Sequence, residues 1–341
     1  MSEGLSTWRT RNTNKKQERY DDTMNLLIIG NPVFSLDERE LTLIREVSPN
    51  LQIDYPSAHT VTDEHIRDAE VIYGWPDPAK LCLAKKLKWL HTPSAGVDAY
   101  ADSSIFPNTD VIVTRSKDVF NIQIAEHVIM LFLAISRGLI DCVKSTSDGK
   151  WARIGGQLEL SASTVLIVGA GAIGSELAKQ LQGFGCTVIG VRRNVSDLPR
   201  YYDETCTYKE MDAILPRADY VALCLPRTPD TNGMFDYRRF SMMKRTAIIS
   251  NIGRGDAIVT DDLDRALREG LIFGAGIDVT EPEPLPENHP LWSAPNVIIT
   301  SHTSGSSEKA NNRRFDVFYD LWKRYNAGQP MDKTVDFVKG Y

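Results

Sequence analysis

The run Val168-Gly169-Ala170-Gly171-Ala172-Ile173-Gly174 sets three glycines at the spacing G-x-G-x-x-G, after an apolar stretch and at the head of a helical pattern. Glycines so placed permit a tight turn, a close backbone approach to a pyrophosphate, and close helix–strand packing. The helix start adds free N–H groups and a positive dipole for the phosphates. A glycine-rich turn alone also suits a purely structural bend, but here strand, helix and second strand stand where a dinucleotide needs them. At the end of that second strand, where an NAD enzyme carries Asp or Glu for the ribose 2′-hydroxyl, the chain reads Gly190-Val191-Arg192-Arg193-Asn194. A carboxylate repels a 2′-phosphate, whereas a guanidinium grips it bidentately. NADP is therefore the expected cofactor, with NAD as the alternative if the two arginines are merely solvated or one stacks on adenine. Three further groups suit anion binding and acid–base work. Arg254, between Gly253 and Gly255, is a permanent planar charge able to meet a carboxylate and a keto oxygen together. His302 offers an imidazole, the side chain that can give and recover a proton near neutral pH. Glu281 or Glu283 could stand beside it, stabilising its charged form and fixing its orientation.

Short apolar runs separated by helical lengths position these groups. Asn25–Gly30, 71–73, 89–91 and 111–114 read as strands, with helix patterns over 37–47 and 80–87. A second series follows at 164–168, 187–190, 220–225, 246–250, 273–277 and 297–300, with a helix over 174–184. The pattern predicts α/β architecture with doubly wound parallel sheets. Residues 122–137 (IQIAEHVIMLFLAISR) are apolar on nearly every face, so that helix is expected to be buried on all sides or to lie between domains or subunits. An amphipathic helix over 308–325 closes the chain.

The 341 residues exceed one ordinary compact core, so two domains are expected. Hydrophobic residues make up 42% and charged residues 25%, the balance of a soluble globular chain. A net charge of -6 supplies no attraction for nucleic acid or an anionic membrane. No apolar run reaches the roughly 20 residues needed to span a bilayer. The five cysteines, Cys82, Cys142, Cys186, Cys206 and Cys224, are scattered and never spaced as C-x-x-C, so reduced thiols are expected and neither a disulfide framework nor a metal site. Residues 1–23 are polar, with no signal-peptide core, and read as a flexible extension; the expected location is cytoplasmic.

From about Met24 onward the chain resembles the D-isomer-specific 2-hydroxyacid dehydrogenase family. The resemblance rests on the glycine motif together with Ser94-Ala-Gly-Val-Asp98, Ile124-Ala-Glu-His127, Leu225-Pro-Arg-Thr-Pro-Asp-Thr231, Asn251-Ile-Gly-Arg-Gly255, Gly276-Ile-Asp-Val-Thr-Glu-Pro-Glu-Pro284 and Ser301-His-Thr-Ser-Gly305. It implies a flavodoxin-like substrate domain (24–121 and 306–341), a Rossmann cofactor domain inserted at 122–305, a cleft between them, and a homodimer. It also implies hydride transfer between NADP or NAD and a small 2-keto acid of glyoxylate or hydroxypyruvate type, giving the D-2-hydroxy acid.

The resemblance makes Arg254 the substrate-binding arginine and His302 the general acid/base. The family's pairing glutamate stands five residues after the aspartate of Gly-Ile-Asp; counted from Asp278 this is Glu283, which leaves Glu281 solvated. Asp278 is implied to hold the nicotinamide carboxamide. Implied cofactor contacts also include Gly169, Gly171, Ala172, Ile173, Gly174, Arg192, Arg193, Leu225, Pro226, Thr231, Ile252, Gly253, His302 and Gly305. Ser94, Ala95 and Gly96 would form a backbone cradle for the substrate carboxylate, unless the segment is an ordinary turn capped by Ser94 or Asp98. Trp75 is either a pocket wall favouring a small substrate or simple packing. His59, His65, His91, His127 and His289 read as structural or solvated, His127 as a helix hydrogen-bonder. Two neighbouring activities compete with this one. Formate dehydrogenase carries glutamine where this chain has Glu283, and 2-ketopantoate or branched 2-keto acids are alternative substrates. A dinucleotide-sensing corepressor-like scaffold is the rival from a different class.

Overall fold

The computed structural model describes residues 23–108, 110–193 and 200–337. The extension expected over residues 1–23 thus lies outside them, save Thr23, as does Asn194. The described residues form two compact units: one within 23–93, 102–115 and 315–334, the other within 94–101, 116–314 and 335–337. The expected bounds shift: residues 94–101, 116–121, 306–314 and 335–337 group with the larger unit and not with the smaller. The turn Ser94–Ala101 groups with the larger unit, because its contacts are made with the loops of that unit.

The smaller unit holds five parallel strands: β1 (Met24–Ile28), β2 (Leu51–Asp54), β3 (Val71–Tyr73), β4 (Trp89–Thr92) and β5 (Ile112–Arg115). Their order, β2-β1-β3-β4-β5, is the flavodoxin-like order. Helix α1 (Glu38–Val47) begins at a reciprocal capping box between Asp37 and Glu40 and buries Leu41 and Ile44. The helix α2 (Asp63–Asp68) is capped by Thr62, and the imidazole of His65 accepts from the Thr62 backbone. The helix expected over 80–87 is instead a 3-10 segment, Pro78–Leu83, started by proline and too short to propagate an α-helical ladder. Tyr73, Trp89, Phe318 and Trp322 are fully buried and stack on one another; the Tyr73 and Phe318 centroids are 3.9 Å apart. Each such side chain contributes roughly 1.5–3 kcal/mol by leaving water. Trp75 belongs to this unit and packs edge-on against Phe34, with centroids 5.7 Å apart. His91 is fully buried beside Thr114 Oγ1 (2.7 Å), and burial pushes its pKa down to about 3, so it stays neutral and structural.

The larger unit holds seven parallel strands: β6 (Thr164–Val168), β7 (Thr187–Val191), β8 (Glu204–Cys206), β9 (Tyr220–Leu223), β10 (Ile248–Asn251), β11 (Gly274–Ile277) and β12 (Val297–Ile299). Their order is β12-β11-β10-β9-β6-β7-β8, so the sense of winding reverses between β6 and β9. This is the Rossmann arrangement, and ligands of such sheets gather at the strand ends beside that reversal.

Two helices follow from the apolar run after residue 120: α3 (Asn121–Ser136) and α4 (Leu139–Ser147). Leu131 and Ile135 of α3 lie on the glycines of β11, where a Cβ at Gly274 would come within 2.6 Å of Ile135 and one at Gly276 within 2.8 Å of Leu131. Glycines in that strand let the helix approach. Of the two expectations for this helix, burial on all sides or a place between domains or subunits, the first fails: α3 leaves Ile122 and Met130 about half exposed, and Leu139, Ile140 and Val143 of α4 are exposed too. Trp151, just beyond, is fully exposed. Uniformly apolar sequence carries no periodic signal to mark an open face. Among the described residues no helix is long and apolar enough to cross a membrane.

Candidate active site

The glycine turn follows β6 and opens α5 (Ala172–Leu181) at the reversal of strand order. Gly169 has φ +103°, and a Cβ there would collide with the carbonyl of Cys224 at the end of β9. A Cβ at Gly174 would lie 2.5 Å from the Gly169 carbonyl. These two glycines are required by the protein's own packing. Gly171 is different: nothing lies within 4 Å of the position its Cβ would take, and it caps α5 with no side-chain hydrogen bond. Open space in front of uncapped helix N–H groups, with exposed Ala172 and half-buried Ile173 beside it, fits a pyrophosphate. At the end of β7, Arg192 is half-buried and Arg193 exposed; Arg193 stands 3.7 Å from Asp230, in a solvated pair. No carboxylate occupies Val191, Arg192 or Arg193. The loop after β9 buries Leu225 and holds its shape by a hydrogen bond from the Thr231 hydroxyl to the Pro226 carbonyl at 2.8 Å.

Arg254 is delivered by the loop after β10. Asn251, the buried last residue of that strand, accepts from the Gly253 N–H (3.1 Å) and donates to the Arg254 carbonyl (2.9 Å), folding the loop back on itself. A Cβ at Gly253 would be 2.5 Å from the Leu225 carbonyl, and one at Gly255 would overlap the Thr280 carbonyl. The glycines flanking Arg254 therefore press it between the loops that follow β9 and β11. Its guanidinium donates from Nε (3.0 Å) and Nη2 (2.7 Å) to a single oxygen of Asp98, and from Nη1 to the Gly253 carbonyl (2.8 Å). It lies directly on the turn at Gly96, where any Cβ would occupy the place of Nη2. Ser94 closes that turn by donating to the Gly96 carbonyl at 2.7 Å. Of the two capping residues considered for this turn, Ser94 does close it, whereas the Asp98 carboxylate goes to Arg254.

His302 stands just past β12 with φ +53°, a left-handed conformation that few residues other than glycine adopt. Its backbone N–H donates to the Asp278 carbonyl (2.8 Å), and its Nδ1 lies 2.7 Å from Glu283 Oε1. The other ring nitrogen, Nε2, is then the one left to exchange a proton. Asp278 is buried beneath this loop, accepting from Thr300 Oγ1 (2.6 Å), the Thr303 N–H (2.9 Å) and the Ser304 N–H (3.1 Å). Burial opposes its charge, but hydrogen bonding from the Ser304 and Thr300 side chains and from the Thr303 and Ser304 N–H groups prevails and holds the carboxyl below the usual carboxylate range. His127 does not bond to its own helix; its Nε2 reaches Thr300 Oγ1 at 3.0 Å. Because that hydroxyl donates to Asp278, it must accept from His127, which fixes the Nε2–H tautomer. Burial lowers the pKa of His127, against the pull of Asp278, and keeps it neutral.

Glu281 is not simply solvated. It pairs with Arg227 (2.7 Å), whose Nε reaches Asp256 at 3.1 Å. Burial pushes the Asp256 carboxyl up, opposed by Arg227 and reinforced by Glu281 and Asp98. Sequence reading missed Asp98, Asn251, Arg227 and Thr300 as parts of this framework. Asp98, Asn251 and Arg227 each stand inside a motif that carries the resemblance, whereas Thr300 had no such signal. Gly305 accepts from the Gln123 side-chain amide at 3.0 Å. A cavity of about 400 Å³ in the smaller unit, lined by Gly30, Tyr55, Ser57 and His59, contains no comparable acid–base pair. Among the described residues no cluster of three or more His, Cys, Asp or Glu side chains could hold a metal.

Residues 129–304 match the family model described as D-isomer specific 2-hydroxyacid dehydrogenase, NAD binding domain. A glyoxylate reductase of Thermofilum pendens is 30% identical over 278 residues, covering 77% of this chain and 80% of the relative. Among solved structures, a D-isomer specific 2-hydroxyacid dehydrogenase family protein of Aeromonas salmonicida superposes with a TM-score of 0.81 at 30% identity, over 93% of this chain and all of that one. An NADPH-dependent glyoxylate/hydroxypyruvate reductase of Sinorhizobium meliloti, in complex with NADP and sulfate, gives 0.77 at 26% identity over 93% of this chain and 100% of that one.

Proposed function

Because the chain belongs to the D-isomer-specific 2-hydroxyacid dehydrogenase family and is an NAD(P)-dependent oxidoreductase, we propose that it reduces a small 2-keto acid of glyoxylate or hydroxypyruvate type to the D-2-hydroxy acid, preferring NADPH. The observation that carries this reading is the 2.7 Å pair between His302 Nδ1 and Glu283, which leaves Nε2 as the proton donor and gives the imidazolium an anionic partner. A bound nicotinamide cofactor supplies the hydride. Arg254 binds the carboxylate and polarises the keto oxygen, His302 protonates the nascent alkoxide, and Glu283 orients the ring. The Gly169–Gly174 turn and the N-terminus of α5 would hold the pyrophosphate, and Arg192 with Arg193 the 2′-phosphate. Asp278, whose carboxylate already accepts three hydrogen bonds, supports the His302 loop and would meet the nicotinamide carboxamide with its remaining acceptor capacity.

The test is oxidation of NADPH and of NADH against a panel of 2-keto acids from glyoxylate to phenylpyruvate. The expected result is highest kcat/KM for the smallest acids and at least a tenfold preference for NADPH, the worth of one charge-assisted contact, about 1.4 kcal/mol. A preference for NADH removes the role given to the two arginines. In this reading the exposed apolar side chains of α3 and α4, with Trp151, are covered by a second copy of the chain; sedimentation at the mass of one chain at micromolar concentration overturns that part.

A further inference from the structure

We propose that Asp98 is the positioning residue for Arg254, holding one edge of its guanidinium so that the opposite edge faces the 2-keto acid; this rests on the substrate-binding reading of Arg254 above. A guanidinium has five N–H bonds arranged as a rigid fork. Nε and Nη2 converge on the same oxygen of Asp98, at 3.0 and 2.7 Å, which uses the side-on edge. One Nη1 hydrogen goes to the Gly253 carbonyl at 2.8 Å. The hydrogens left are one on Nη1 and one on Nη2, and the latter points away from Asp98 toward the end-on edge. Such an edge is the bidentate geometry that a carboxylate with an adjoining keto oxygen matches.

Two further observations give Asp98 this assignment. The segment that Asp98 begins is entered from Val97, which has no capping side chain, and the Asp98 carboxylate accepts its two hydrogen bonds from Arg254. Asp98 also sits two residues after Gly96, the position against which Nη2 lies and where no Cβ fits. Asp98 thereby docks the arginine onto the turn Ser94–Gly96 proposed to cradle the substrate carboxylate. The pair is partly exposed, at 25% for Arg254 and 42% for Asp98, so it stabilises the fold little and its effect is on geometry. A free arginine side chain would have to be ordered at each binding event, at an entropic cost that Asp98 removes beforehand.

The opposite role is also chemically possible: a carboxylate on the fork could be a competitor that substrate must displace. Steady-state kinetics of Asp98→Asn, Asp98→Ala and Asp98→Glu in the full chain, with glyoxylate as substrate and oxamate as inhibitor, separate the two. For positioning, the Asn and Ala variants lose roughly 10- to 100-fold in kcat/KM for the acid, mainly through KM, as expected for a hydrogen-bonded charge pair. Oxamate inhibition weakens in parallel, the KM for nucleotide stays within about twofold, and Asp98→Glu recovers part of the loss. Kinetics within twofold of wild type in both the Asn and Ala variants, or a fall in KM, overturn the proposal. A loss shared equally by nucleotide affinity assigns Asp98 a structural role and overturns it too. If the wild-type chain reduces none of the acids, the reading of the whole site fails along with this one; wild-type turnover with indifferent Asp98 variants overturns this inference alone.

Discussion

Replacing His302 with alanine lowers kcat for 2-keto acid reduction by roughly two to four orders of magnitude, the scale of a lost general acid. The KM values for acid and nucleotide change little, because the imidazole serves the developing alkoxide more than the ground state. Alanine at this position raises a backbone question, since residue 302 has φ +53°. Asparagine tolerates the left-handed region better than alanine does, so His302→Asn keeps the loop while removing the proton donor. Both variants are expected to lose kcat to a similar degree and to keep nucleotide affinity. An Asn variant within tenfold of wild-type kcat removes His302 from the chemistry. Weakened nucleotide binding in both variants instead traces the defect to the loop that Asp278 supports, through its bonds to Thr303 and Ser304.

Arg254→Ala is expected to reduce kcat/KM by about two to four orders of magnitude, through a higher KM and a lower kcat together. Two hydrogen bonds from a charged group are worth roughly 1.5–3 kcal/mol each, and every 1.4 kcal/mol is about tenfold. In the proposed role, a contact to the substrate carboxylate would serve ground and transition states alike, whereas one to the keto oxygen would strengthen as charge develops. Arg254→Lys recovers little, because an ammonium is a point charge without the fork. The fold should survive, since the Asp98 carboxylate left behind is 42% exposed and water solvates it. Kinetics near wild type with either substitution exclude Arg254 from substrate binding.

Local sterics and periodicity make much of this protein legible in one dimension. A G-x-G-x-x-G between an apolar run and a helix reads as a nucleotide turn because Gly169 must adopt φ +103° and Gly174 must touch the Gly169 carbonyl, constraints that hold within a few residues. Alternating strand and helix lengths predict two parallel sheets, since a parallel pair needs a crossover. The choice of Glu283 over Glu281 came from motif resemblance, and the two glutamates do part company in space, one toward His302 and the other toward Arg227. Chemistry alone left them equivalent, because side chains two apart in an irregular loop have no fixed facing.

Contacts between distant segments were decided only by tertiary structure. Asp98 and Arg254 are 156 positions apart, and their meeting depends on how the loop after β10 reaches the turn at Gly96. The bond between His127 and Thr300 spans 173 positions and likewise requires α3 to lie across β12. Neither partner has a periodicity or spacing that encodes the other. The open side of α3 was equally hidden, because Ile122 and Met130 are as apolar as their buried neighbours. Residue types and near-neighbour spacing specify which groups can do chemistry; which edge of a guanidinium or which nitrogen of an imidazole is left to do it depends on partners that only the folded chain brings within hydrogen-bond range.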